Sequence, residues 1–444
     1  MASVATYHGV DLSLVATTAR RVPALPALTG IRAVLALLVV FGHFGGGCIA
    51  AIRDHSTVLA DPLARIAAWG HIGVNGFFIL SGFVLAYTYL PASGGFRGSV
   101  RGFYAARVAR IYPGYALGLA LAVVAAIAWD AYGTPNGAVI FGQAPATTLL
   151  RQTALVQMWL PPYAVPFNPP SWTLSVEAFF YLLFPFAGVL LLRVPCRRLP
   201  LLALLCWLAA VLPSWLLASA HPGWRWVATV TAHPVARFPE FLVGVCLGRW
   251  FVLVRQQGRT LPHAGTVAAL CAAGLVAGFA FGPPLPEITS ETGPYDPLLA
   301  LLIVALAGGA GHLARWLSAP RVVLLGEASY AIYILHWPLH LIAVATLGRA
   351  VPASGMPFFA LYAAALITAS VLTFRYVETP ARRRLRSRRG EAIPLSCRHG
   401  LGVFQRRERG SGVPREVEHR VALCGADRLV GGRADGVPDD GLLR

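Results

Sequence analysis

Between residues 28 and 376 the chain returns repeatedly to apolar runs near the ~20 residues that a helix needs to cross a bilayer. Only 13% of its residues are charged, against about 25% in soluble domains. Its mean hydropathy is +0.62. Lipid offers no hydrogen-bond partners, so each run must satisfy its own backbone as a helix. The expected fold is therefore all-α, a polytopic membrane helix bundle of about ten transmembrane helices. The runs lie at 28–50, 70–90, 112–130, 173–193, 199–219, 238–254, 263–282, 297–316, 322–346 and 356–376.

Charge gives the bundle a direction. Lys and Arg together number 37 against 19 acidic residues, a formal charge of +18, and every one of the 37 is arginine. In a soluble protein such charge would suggest nucleic acid. Here the arginines gather in every second connection, among them Arg20 and Arg21, Arg97 to Arg110, Arg193 to Arg198, and Arg375 onward. That alternation follows the positive-inside rule. It predicts a multi-pass protein of the plasma (inner) membrane, both termini cytoplasmic, with lipid rather than nucleic acid as its surroundings.

Residues 1–27 lack an apolar core, so no cleavable leader is expected, and they read as a cytoplasmic segment before a membrane domain at 28–380. Residues 381–444 hold 15 arginines and no sustained periodicity, which reads as a disordered cytoplasmic tail. The seven cysteines show no paired spacing, so neither a metal site nor a disulfide framework is expected.

Within these runs a few ionisable residues stand out, because such groups are costly in lipid and face a bundle interior or an aqueous cavity. Arg32 and His43 are eleven residues apart in LTGIRAVLALLVVFGHF. At about 100° per residue they return to within ~20° of one helix face, ~16 Å apart along it. Counting depth along the runs puts Arg32 near the cytoplasmic side and His43 about two-thirds of the way across. The same count puts Glu177 ~8 Å below the external surface and His336 ~20 Å from the cytoplasmic one. Two histidines and a carboxylate are thus expected to converge in the outer half, although each could also be a separately satisfied packing residue. A histidine there can serve as general base for a hydroxyl nucleophile.

On the cytoplasmic side, Arg107 and Arg110 share a face at i, i+3 in FYAARVARIYP. Their planar guanidinium groups suit phosphate recognition, and plain topogenic charge is the alternative. The two halves together suggest transfer of a group from an anionic donor. A polytopic transporter or flippase using buried histidines as a proton relay is the rival. It would carry internal repeats with matching broken helices, and none is evident.

Seven segments taken in order resemble the integral membrane acyltransferase-3 superfamily of O-acyltransferases. They are LTGIRAVLALLVVFGHF, HIGVNGFFILSGFVLAY, RGFYAARVARIYPGY, NPPSWTLSVEAFFYLLFP, ARFPEFLVGVCLG, LGEASYAIYILHWPL and RYVETPARR. The resemblance implies transfer of an acyl group, usually acetyl from acyl-CoA, to a hydroxyl of a carbohydrate or glycosylated acceptor, with no permanently bound cofactor. It implies that His43 is the essential histidine, expected as the general base or else as a transient acyl carrier, with Glu177 orienting or charge-stabilising a site histidine or holding the acceptor. Arg32, Arg107 and Arg110 are then expected to bind the coenzyme. Asn75, Trp172, Tyr330, Tyr333 and His336 are expected at the acceptor. Many members carry Asp where this chain has Asn75, so any role there is hydrogen bonding. No appended hydrolase domain is expected.

Overall fold

The structure is a computed structural model describing residues 22–131, 144–159, 167–220, 232–283, 293–347, 351 and 355–387. Every regular element among them is helical. α1 (Pro26–Phe44) opens on Pro26, whose fixed φ suits a first helical turn. It ends at Gly45, a residue costly in a helix interior. α2 (Gly46–Arg53) and α3 (Thr57–Ala68) follow, and a short 3₁₀ turn leads into α4 (Ile72–Tyr89). α5 (Val100–Ala131) is 32 residues long. Then come α6 (Pro145–Thr153), α7 (Trp172–Leu192), α8 (Leu199–Ala220), α9 (Pro234–Gln256) and α10 (Ala264–Phe281). α11 (Asp296–Ala307) and α12 (Gly311–Leu317) meet at a bend of 80°. Gly309 and Gly311 supply the positive φ angles at that break. α13 (Pro320–Glu327), α14 (Ser329–Leu347), α15 (Met356–Thr373) and α16 (Thr379–Ser387) complete the chain, with a π-helical turn, Phe374–Glu378, joining the last two.

Each of the ten expected runs falls on helix, but the runs are cut differently. Eight described spans are long and apolar enough to cross a membrane, nine if the bent pair α11–α12 counts as one. The expected run 28–50 stops at Phe44, and 322–346 is divided at Ala328. α9 is long enough but carries Arg237, Glu240, Arg249 and Arg255. Its inner charges are satisfied by protein: Arg237 pairs with Glu240 at 2.6 Å, and Arg249 donates to the carbonyls of Leu90 and Pro91. A helix so charged survives because α4, α7 and α8 surround it in place of lipid. α16 extends to Ser387, into the stretch read as a tail from 381, while residues 388–444 lie outside the described ones.

α4 packs most extensively against α9, and the seam is made of glycines. A Cβ on Gly82 would stand 2.1 Å from the Phe241 carbonyl oxygen, and one on Gly244 would stand 1.9 Å from that of Ile79. Small residues let membrane helices approach backbone to backbone, which is where their association energy comes from. Gly244→Ala should force the helices apart and destabilise the protein by about 1–3 kcal/mol. Gly46→Ala, with nothing within 4 Å of the new carbon, should be close to neutral. Thermal unfolding of the two variants in detergent checks this.

Candidate functional site

Arg32 and His43 both turn toward α14, as their spacing on one face of α1 requires. Arg32 Nε donates to Ser329 Oγ at 3.2 Å. About three turns further along α1, His43 Nδ1 and His336 Nε2 are 2.9 Å apart, with ring planes within 7°. His336 is fully buried, and its Nδ1 lies against the carbonyl oxygen of Tyr333. A carbonyl can only accept, so His336 Nδ1 carries its proton and His336 Nε2 presents a lone pair. His43 Nδ1 must then be the donor, which leaves His43 Nε2 unprotonated. His43 is exposed, and beside it stand the rings of Phe44 and Trp337. His340, one turn beyond His336, stacks on Phe44 with ring centroids 3.6 Å apart. The LHWPLH segment carried that signal in its i, i+4 histidines.

A separate cavity of about 120 Å³ lies on the other side of Tyr333. Arg32, Arg107, Arg110, Glu177, Tyr330 and Tyr333 line it together with the rings of Phe77 and Phe78. Among the lining side chains three guanidinium groups face one carboxylate, a balance whose chemistry would suit an anion. Each of its charges is held differently. Glu177 accepts from Ser81 Oγ at 3.4 Å and from the Tyr181 hydroxyl. Arg107 stands over the rings of Tyr89, Phe103 and Tyr181 at 5.6–5.8 Å, and its buried Nε has no hydrogen-bond partner among the described residues. Arg110 pairs with Glu378 at 3.6 Å. The Tyr330 hydroxyl donates to the Ile111 carbonyl, fixing α14 against α5.

Two expectations change here. Arg107 and Arg110 share a helix face as expected, but not in a connection outside the run 112–130. α5 begins at Val100, so they sit about two and three turns inside it and face the cavity. Glu177 does not join the histidines and so does not orient one; it faces the arginines. Its depth was counted from a membrane surface at the start of α7, but the connection before α7 folds into the bundle. Gln152, Gln157 and Asn168 are all buried. Asn168 Nδ2 donates to the Ile334 carbonyl at 3.0 Å, and Tyr333 donates to the Pro170 carbonyl at 3.1 Å. α7 therefore starts against the second turn of α14. Tyr333 lines the cavity while its ring lies 5.8 Å from that of His336, so one side chain separates cavity from histidine pair.

Asn75 and Trp172, expected at the acceptor, belong to another cluster. Asn75 Nδ2 donates to the buried Asp296 at 3.2 Å, and Trp172 lies under the Arg237 guanidinium at 5.7 Å. Asp296 on α11 interacts electrostatically with Arg237 and Glu240 on α9, a grouping that no motif in the sequence announces.

The sequence profile of an acyltransferase domain, acyltransferase-3, matches residues 25–375. The chain belongs to the acyltransferase-3 family. An acyltransferase of Streptomyces mycarofaciens, MdmB, is 32% identical over 396 residues, which cover 83% of this chain and 94% of that one. The exopolysaccharide production protein ExoZ of Rhizobium meliloti is 30% identical over 338 residues, covering 72% and 92%. A putative peptidoglycan O-acetyltransferase of Bacillus subtilis, YrhL, is 25% identical over 390 residues, covering 81% of this chain and 55% of its own. No solved structure matches. The acyltransferase-3 domain thus contains both the histidine pair and the arginine cavity.

Asn168→Ala removes the donor to a buried carbonyl where α7 meets α14. It should cost about 1–3 kcal/mol of stability, read from thermal unfolding.

Proposed function

We propose that this acyltransferase moves an acyl group, acetyl by preference, from acyl-CoA to a hydroxyl of a carbohydrate or glycosylated acceptor. The observation that carries this reading is the chain from the Tyr333 carbonyl through His336 to His43, which leaves one basic nitrogen at an open edge. His43 Nε2 takes the proton of the acceptor hydroxyl as its oxygen attacks the thioester carbonyl carbon. The tetrahedral intermediate collapses with cleavage of the C–S bond. The imidazolium returns the proton to the departing thiolate, so the base is regenerated. His336 holds the tautomer and ring orientation, the task that a carboxylate performs in Ser-His-Asp sites.

In this reading the arginine cavity receives the donor. Arg32, Arg107 and Arg110 hold its phosphates, and Glu177 balances their charge beside Ser81 and Tyr181. The acceptor approaches His43 from its exposed side, where Trp337, Phe44 and His340 offer aromatic surface. The acyl portion then has to pass Tyr333. The arginine-rich connections support placing both termini on the cytoplasmic side of the plasma membrane, where acyl-CoA is found. The relatives support the acceptor class: the names of two of them refer to exopolysaccharide and to peptidoglycan.

Membranes bearing His43→Ala, assayed with labelled acyl-CoA, should lose transfer by about a hundredfold or more. Near wild-type turnover would remove His43 from the mechanism. His336→Ala should lower kcat while leaving the donor KM unchanged, since it holds the base and lines no part of the arginine cavity. Arg107→Ala with Arg110→Ala should do the reverse, raising the donor KM, and an unchanged KM would exclude these arginines from donor binding.

A further inference from the structure

The RYVETPARR segment has no task in the proposed reaction, and its glutamate is fully buried. Glu378 closes the π-helical turn Phe374–Glu378. Such a turn takes one extra residue, so everything after it is rotated about 100° relative to an uninterrupted α-helix. That rotation brings Glu378 inward against α5, and Arg382, four residues on, falls on the same face. Glu378 Oε2 receives both Arg110 Nη1 from α5 and Arg382 Nη2 from α16. Its other oxygen, Oε1, is buried without a hydrogen-bond partner among the described residues, and so is Arg382 Nε. Arg110 makes no hydrogen bond among the described residues beyond this ion pair. Arg32 and Glu327 are the other charged groups acting on the same place.

We infer that Glu378 is a positioning residue that holds Arg110 and Arg382 side by side as a subsite for a phosphate or diphosphate group. The inference rests on the donor reading and adds Arg382 to it. Two guanidinium groups brought this close repel each other, more strongly away from water. One carboxylate placed between them offsets that repulsion and fixes both forks. It takes up few of their N–H groups, so the rest stay available to a second anion in charge-assisted hydrogen bonds. The subsite lies where Arg110 enters the cavity wall, which suits the nucleotide end of a thioester rather than its acyl end.

The test uses full-length protein in nanodiscs and two donors, acetyl-CoA and acetyl-pantetheine, which lacks the nucleotide phosphates. Glu378→Gln keeps the shape and removes the charge. It should raise the acetyl-CoA KM about tenfold and leave kcat/KM for acetyl-pantetheine unchanged. Arg382→Ala should act in the same direction, with Glu378→Asp and Arg382→Lys restoring part of the loss. A purely structural role would impair both donors equally, and that result, or no effect on either, overturns the inference. Thermal stabilisation by free CoA separates this from failure of the donor reading. No stabilisation of the wild type overturns both, whereas equal stabilisation of wild type and Glu378→Gln overturns the subsite alone. Stabilisation produced equally by anionic lipid without CoA would assign the arginines to a headgroup and also overturn it.

Discussion

A guanidinium cannot be left alone in an apolar interior, and the way each one is answered determines how this bundle closes. Arg32 draws α1 onto the start of α14 through Ser329. Arg110 draws the π-helical turn after α15 onto α5 through Glu378. Arg237 is met by Glu240 and Trp172, and Arg249 by the chain just beyond α4. Arg107 is met by three aromatic rings instead of an acid. Removing any one of these partners leaves a buried charge uncompensated, which costs far more than an exposed ion pair contributes. The helices are thus joined at charged points within a largely apolar contact surface.

Those same points divide the interior into two compartments. One is cationic and lined by Arg32, Arg107 and Arg110. The other is the open edge of His43, neutral and aromatic. Tyr333 belongs to both, because its hydroxyl is tied to the start of α7 while its backbone carbonyl fixes the proton on His336. A displacement of α7 would therefore be felt at both the cavity wall and the base. The division also explains why Glu177 sits among arginines: a carboxylate beside the histidine pair would compete with the carbonyl that selects the tautomer.

Much of this could be read from residue spacing. The apolar runs located the helices, and eleven residues between Arg32 and His43 placed both on the face that meets α14. What spacing could not supply was depth. A count along the chain assumes that helices start at the membrane surface, and α7 does not, because Gln152, Gln157 and Asn168 carry the preceding connection inward on buried hydrogen bonds. Polar residues in a nominal loop carry no sign of which carbonyls they will meet. The same blindness applied to Arg107 and Arg110. An arginine-rich stretch reads as a connection at the membrane surface, yet it is the first turns of α5, held by aromatic rings and by an acid more than 260 residues away.

The charged helix α9 has a consequence for how the protein is made. Hydropathy-driven insertion charges about 2.5–3.5 kcal/mol for an arginine or acid at the centre of a nascent segment. Arg237, Glu240 and Arg249 together would weigh against α9 leaving the translocation channel by itself. By then α4 and α8 have already been synthesised, and the glycine seam of α4 is the surface α9 must reach. Its entry into lipid is thus coupled to docking. Membrane insertion and tertiary assembly, separable for an ordinary apolar helix, become a single event at this point in the chain.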